Sequence, residues 1–309
     1  MKYILLILLF PAICLAQFNV KQDFGAKGDG KTDDTQAFQR AINAAIAAKG
    51  RLIIPPPSAF YKITKTLNVV PVSGGQVFME IEAWGWGNGT NVIRYMGASN
   101  SAVFKIVGLK QSIWTGLKVG IEDGLTGVQV FDIDTTPSAE STSFVTFKNC
   151  YLNLGNKPNN VGFRLGHLSG GGADISNYQW ENCVVFGSRL PGQVAYLVEG
   201  NNTLSNTWMG GFVAHCDKIY SNVSGPGARN DRGNGSVYFY GLGGSHNNTD
   251  FEVAFEQTYV ISGGRFESGR RFLNVIDHSL HASITIQGCQ INDYETKDGI
   301  LMYMGTAGS

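Results

Sequence analysis

A six-position pattern recurs along the chain and restricts its fold more than any other feature. An apolar residue, any residue, a Gly or Asn, a small or apolar residue, any residue and a second apolar residue occur as Trp114/Gly116/Leu117/Val119, Phe147/Asn149/Cys150/Leu152 and Trp180/Asn182/Cys183/Val185. Each copy lies 33 residues after the last. Val213/His215/Cys216 extends the series more weakly, and Phe239/Gly241/Leu242, Ile261/Gly263/Gly264/Phe266 and Ile286/Gly288/Cys289/Ile291 follow at intervals of 26, 22 and 25 residues. Copies at such periods mean stacked units. Helical units are excluded, because the segments alternate at period two, are rich in Val, Ile, Phe, Tyr and Thr, and carry Gly and Asn where a helix would be penalised.

What remains is an all-β parallel solenoid, in which short strands joined by Gly/Asn bends coil round one axis and equivalent positions stack ~4.8 Å apart. The Gly/Asn file supplies the left-handed backbone at each bend. Composition agrees: 40 of 309 residues are glycine, nearly twice the usual share of about 7%, with no Gly-X-Y period. The next file, Leu117, Cys150, Cys183, Cys216, Leu242, Gly264 and Cys289, is expected to point inward. That favours a buried stack of free thiols over disulfides. Near the N-terminus, Asp33 and Gln36 have the spacing of a capping box, followed by an apolar face of Ala37, Phe38, Ala41, Ile42, Ala45 and Ile46 that ends at Gly50. This short capping helix is expected to close the open end of the solenoid.

Residues 1–16 read as an export signal, with Lys2, an apolar run over 3–13 and Cys14-Leu15-Ala16 before the cleavage point. No later segment approaches the ~20 apolar residues of a membrane span. The sequence therefore reads as a secreted or periplasmic protein, with a cap segment over 17–65 and a solenoid over 66–309. The abrupt end after Ile300-Leu301-Met302-Tyr303 leaves a C-terminal truncation open. Lys plus Arg equals Asp plus Glu at 24 each, with no basic run, which argues against a nucleic-acid partner.

Gly25-Ala26-Lys27-Gly28-Asp29-Gly30-Lys31-Thr32 fits the phosphate-loop pattern G-x-x-x-x-G-K-[ST]. The nucleotide reading fails because Asp29, Asp33 and Asp34 would crowd the phosphates with carboxylates. No second helical pattern follows residue 50 either, so an alternating βαβ sheet cannot be built. The stretch from Asp23 to Gly30, with Thr32-Asp33-Asp34-Thr35, the alanine-rich helix, Leu52-Ile53-Ile54-Pro55 and Tyr61-Lys62-Ile63, instead resembles the opening of the pectate-lyase-like, glycosyl hydrolase family 28-related superfamily, which includes phage tailspikes. The resemblance implies a right-handed single-stranded parallel β-helix whose outer groove handles polysaccharide, with these aspartates serving a folding cap. The family's catalytic motifs do not carry over. Polygalacturonases of the group pair an Asn-Thr-Asp with a double aspartate, a Gly-His-Gly and an Arg-Ile-Lys, whereas this chain has only Asn248-Thr249-Asp250 after the cap.

The repeat register selects outward positions. One file reads Lys118, Tyr151, Val184, Asp217, Gly243, Arg265 and Gln290; the next reads Gly120, Asn153, Phe186, Ile219, Ser245, Glu267 and Asn292. Separately, if Phe251, Val253 and Phe255 alternate inward, Asp250, Glu252 and Glu256 face out. A hydrolase would pair Glu267 with Asp217 or Asp250 as general acid and base. A lyase would neutralise a uronate through Arg or Ca²⁺ and abstract the adjacent proton, for which Arg265, Arg232 and His246 are the candidates, while Tyr240 could stack on a sugar ring. No cofactor is evident and no metal ligands are assigned; Ca²⁺ enters only with lyase chemistry. The expected partner is polysaccharide, with monomer and trimer both open. The reading of a different class is a non-catalytic, glycan-binding or tailspike-like structural β-helix.

Overall fold

The computed structural model describes residues 16–71, 75–84, 92–135, 141–166, 174–200, 203–222, 235–253, 258–276, 283–295 and 301–304. The expected export signal, apart from its last residue, and Arg232 lie outside the described residues. Three parallel sheets of ten, nine and nine strands run the length of the molecule, and each strand pairs only with its equivalents in the coils before and after. Every coil contributes one strand to the first, second and third sheet in turn. Parallel crossovers of this kind wind right-handed, giving the right-handed single-stranded parallel β-helix expected from the sequence.

The core is a set of files. Leu52, Ile81, Trp114, Phe147, Trp180, Trp208, Phe239, Ile261 and Ile286 succeed one another on the inner face of the first sheet. Their rings stack, with Trp180 on Trp208 at 4.4 Å and Trp208 on Phe239 at 4.6 Å, contacts worth ~0.5–1.5 kcal/mol each beyond burial. The bend that follows requires a left-handed backbone. Gly116 has φ 73°, and a Cβ there would sit 2.3 Å from the carbonyl oxygen of Ala83.

One register assignment is corrected. Trp208, not Val213, follows Trp180, because this coil is 28 residues long rather than 33. Val213 lies in the second sheet between Val185 and Gly244. Cys216 therefore leaves the thiol file, and Phe212 and Ala214 take the outward places expected for Asp217 and Ile219. Among the described residues Cys150, Cys183, Cys216 and Cys289 are free, and the first three are buried.

The helix Thr35–Ala48 buries Thr35, Ala37, Phe38, Ala41, Ile42 and Ala45 against the first coil, with Phe38 edge-on to Tyr61 at 5.0 Å. Its N-cap is Asp34 rather than Asp33, without a side-chain capping bond. The Asp34 carboxylate instead accepts from the N–H groups of Lys27 (2.6 Å) and Gly28 (3.0 Å), and Asp29 accepts from those of Lys31 and Thr32. The amides that a phosphate would need are thus already occupied by aspartates. At the C-terminus the left-handed residue is Lys49, φ 50°, ahead of Gly50.

A second left-handed file, Gln111, Phe144, Asn177 and Ser205, bulges the strands of the first sheet near their starts. Asn suits this conformation and Phe does not, yet Phe144 sits at φ 57° with 61% of its surface exposed. Phe144→Asn is expected to raise stability by about 1 kcal/mol, read as a higher urea midpoint at unchanged slope.

Candidate functional site

The outer face of the third sheet carries charged groups in register from coil to coil. One outward file there reads Asn68, Lys105, Asp132, Arg164, Leu197, Ser221, Glu252 and Asn274. Over its first half lies a cleft of about 670 Å³ with Lys105, Asp132, Arg164 and Leu197 in its floor. One wall is the bend between the second and third sheets, represented by Asn100, Gly127, Asn159 and Gly192.

Buried amides hold that wall in place. Asn160 accepts from Val128 N–H (2.8 Å) and donates to the carbonyls of Leu125 and Leu154. Gln193 accepts from the N–H groups of Ser188 (2.6 Å) and Leu190 (3.3 Å) and donates to the carbonyls of Gly155 (3.0 Å) and Lys157 (2.9 Å). Asn247 repeats the device two bends further on, accepting from Cys216 N–H. A bend that turns its polar backbone inward needs such partners.

Within the cleft, Arg164 Nε lies 2.9 Å from Asp132 Oδ1 and 3.7 Å from Glu199 Oε2, with all three side chains largely withdrawn from solvent. Lys105 is the neighbour of Asp132 in the preceding coil, and among the described residues it forms no ion pair. Val161, Val194 and Leu197 supply an apolar margin. Three coils beyond Arg164, Glu252 accepts from Lys218 Nζ (2.5 Å), Ser221 Oγ (2.9 Å) and Asn274 Nδ2 (3.3 Å). The cleft thus offers one uncommitted cation, a guanidinium shared by two carboxylates, and a strip against which a sugar's C–H face can rest.

The residues selected from the sequence fall on different parts of the molecule. Asp217 lies on the rim of this wall, but its carboxylate is committed to Gly192 N–H (2.9 Å) and Asn248 Nδ2 (2.9 Å) and does not stack with Arg265. Asp250 is not on an outer face. It occupies the interior file of Val103, Val130, Ala195, Ile219 and Phe272, 1% exposed, because its strand begins at a bend where two successive residues both face inward. There it accepts from Asn247 Nδ2 (3.0 Å) and the Tyr294 hydroxyl, and burial pushes its pKa up to about 7. Asn248, Thr249 and Asp250 therefore face three different surroundings rather than one site.

Glu267 pairs with Arg265 at 2.6 Å on the outer face of the second sheet, below Ser245. His246 Nδ1 is 2.6 Å from Ser245 Oγ, and its ring lies on His215 at 4.9 Å. Burial, aided by His246 and Arg189, holds His215 below its usual pKa. These groups do share a neighbourhood, but away from the third-sheet cleft. Tyr240 stands on the first sheet. Glu256 lies outside the described residues.

Lys105, Asp132, Arg164 and Glu199 were not singled out from the sequence. A signal for three of them exists: Phe104-Lys105, Phe131-Asp132 and Phe163-Arg164 repeat a ring-then-charge pair, and Phe251-Glu252 repeats it later. The ring enters the core and the charge faces out. Among the described residues no three His, Cys, Asp or Glu side chains converge in a group that could hold a metal ion. No helix among them is long and apolar enough to cross a membrane.

Known proteins resemble the chain in three ways. A 48-residue stretch is 56% identical to alginate lyase 7 of Azotobacter vinelandii, covering 16% of this chain and 5% of that enzyme. Among solved structures, ORF18 of Geobacillus virus E2 is 19% identical with a TM-score of 0.44, over 89% of this chain and 59% of that one. The tailspike gp49 of Acinetobacter baumannii bacteriophage Fri1, a capsular polysaccharide depolymerase, is 12% identical with a TM-score of 0.44, over 93% and 63%. The chain thus spans a small part of the alginate lyase and about three fifths of each viral protein. A family model, described as rhamnogalacturonase A/epimerase, pectate lyase-like, matches residues 17–209, more than half of the sequence and the stretch that builds the cap and the third-sheet cleft. The chain belongs to the rhamnogalacturonase A/epimerase, pectate lyase-like family.

Proposed function

We propose that this protein processes an acidic polysaccharide laid along the outer face of the third sheet. The observation that carries the reading is Lys105, which among the described residues forms no ion pair and stands in a cleft beside an Arg164 guanidinium shared by Asp132 and Glu199. A uronate carboxylate would be held by Lys105 and the Arg164 guanidinium. One of Asp132 and Glu199 would supply the base, taking the proton beside the uronate in a lyase or activating water in a hydrolase, and the other, in its protonated form, would give a proton to the glycosidic oxygen as its C–O bond breaks. The family description and the likeness to an alginate lyase over the matched stretch support a glycan substrate. In this reading residues 1–16 direct export, residues 17–65 cap the solenoid, and the protein works in a secreted or periplasmic setting.

The engagement of both cleft carboxylates by one guanidinium favours a second reading, in which the same groove binds glycan without cleaving it. Incubation with acidic and neutral polysaccharides separates these outcomes. Unsaturated-uronate absorbance marks a lyase, reducing ends without it a hydrolase, and retention alone a binding protein. Lys105→Ala is expected to weaken turnover or retention of acidic polymers at least tenfold, the loss of one charge-assisted contact of about 1.5–3 kcal/mol. Unchanged behaviour of that variant would remove the cleft from consideration.

A further inference from the structure

The outer face of the first sheet changes character along its length. In its earlier coils it carries ion pairs, Arg51 with Glu80 and Glu82, and Lys148 with Glu181. Beyond Glu181 the described strands of this sheet carry no charge. No residue of the strands Asn206–Met209, Ser236–Tyr240, Thr258–Ser262 and Ser283–Gln287 is ionisable to a cation or carboxylate. Among the described residues four neighbouring coils therefore share an outer surface without charged strand side chains, on a sheet other than the one that bears the charged cleft.

Tyrosines stand at the middle of that surface. Tyr238 and Tyr240 occupy successive outward positions of one strand, while Val237 and Phe239 between and before them enter the core. Their rings are nearly parallel, 11° apart in plane and 5.9 Å between centroids, and Tyr240 is 42% exposed. Around them the outward neighbours are Thr207 and Met209 in the preceding coil and Ser262 and Gln287 in those that follow. Gln287 Nε2 reaches Ser262 Oγ at 3.4 Å on the exposed surface.

Such a surface suits one chemistry. A uronate brought here would shed water without gaining a cation, which is unfavourable. A neutral pyranose offers apolar C–H faces for the rings and hydroxyl groups for Thr, Ser and Gln side chains. We propose that this part of the first sheet is a second, non-catalytic glycan-binding surface that takes neutral polysaccharide, while the third-sheet cleft takes acidic polymer. The surface would hold the protein on a mixed glycan matrix as the cleft works on its acidic component. The neutral-glycan surface stands independently of the cleft; only its pairing with an acidic substrate rests on the function proposed for the cleft.

The test uses the full chain in affinity electrophoresis through gels containing hydroxyethyl cellulose, β-1,4-galactan, xylan or polygalacturonate. At least one neutral polymer is expected to retard the wild type. Tyr238→Ala/Tyr240→Ala should weaken that retardation about tenfold or more and leave the response to polygalacturonate unchanged. Tyr240→Phe keeps the ring and should keep binding, which separates stacking from any loss of fold. Lys105→Ala should leave neutral-polymer binding intact. The proposal is overturned if no neutral polymer retards the wild type, or if the double variant is retarded equally. It is also overturned if sedimentation shows that the tyrosines mediate self-association instead.

Discussion

Gln193→Leu is expected to destabilise the protein by at least ~3 kcal/mol, a large share of the ~5–15 kcal/mol typical of a folded domain. The Gln193 amide is fully buried and serves four backbone groups at two successive bends. Leucine is close in volume, so no cavity opens and little hydrophobic burial is gained. What changes is that the Ser188 and Leu190 N–H groups and the Lys157 carbonyl lose their Gln193 partner together, while the Gly155 carbonyl keeps the Ser188 hydroxyl, at ~1–3 kcal/mol for each orphaned group that stays dry. Urea unfolding followed by circular dichroism reads the effect directly. A loss under ~1 kcal/mol would show that the bend can satisfy its backbone by other means. The damage would reach the cleft, since the adjacent Gly192 lines it and binds Asp217 through its N–H.

The second large effect belongs to Asp250. Burial pushes its pKa up to about 7 from an ordinary 3.8, against the smaller lowering influence of Tyr294 and Asn247. Between these values the folded protein holds a proton that the unfolded chain has released, so stability falls as pH rises. The contribution is complete below pH ~4, declines through the interval and is exhausted above ~7, an overall change of roughly 4 kcal/mol. Asp250→Asn keeps the shape and has no proton to lose. The stability difference between variant and wild type should therefore shift in the variant's favour by that amount from pH 4 to pH 7.5. Parallel stability curves across this range would refute the assignment of a protonated interior carboxyl.

What the sequence made legible follows from what each position demands. Bends need Gly or Asn, and inner faces need large apolar groups, so the files through Phe147, Trp180 and Ile286 could be read and assembled into a coil. Their register failed once, at Trp208, because a constant period of 33 was carried across a coil of 28. That slip alone moved Asp217 and Cys216 into files where they do not belong. Asp250 was misplaced for another reason: strict alternation holds inside a strand and breaks at the bend where this one begins. Outward positions carry no comparable steric requirement, so Lys105, Asp132 and Arg164 stood out only through the rings beside them. Glu199 lies just past its strand, where no periodicity applies.

Because strands pair only with their counterparts in adjoining coils, positional information in this molecule is local. The placement of Arg164 against Asp132 is specified at a single boundary, and an insertion in a distant connecting segment leaves it untouched. Lineages could lengthen or shorten such segments, or add whole turns at either end, while the working surface kept its spacing. The rod acts as a ruler whose graduations are independent of its length.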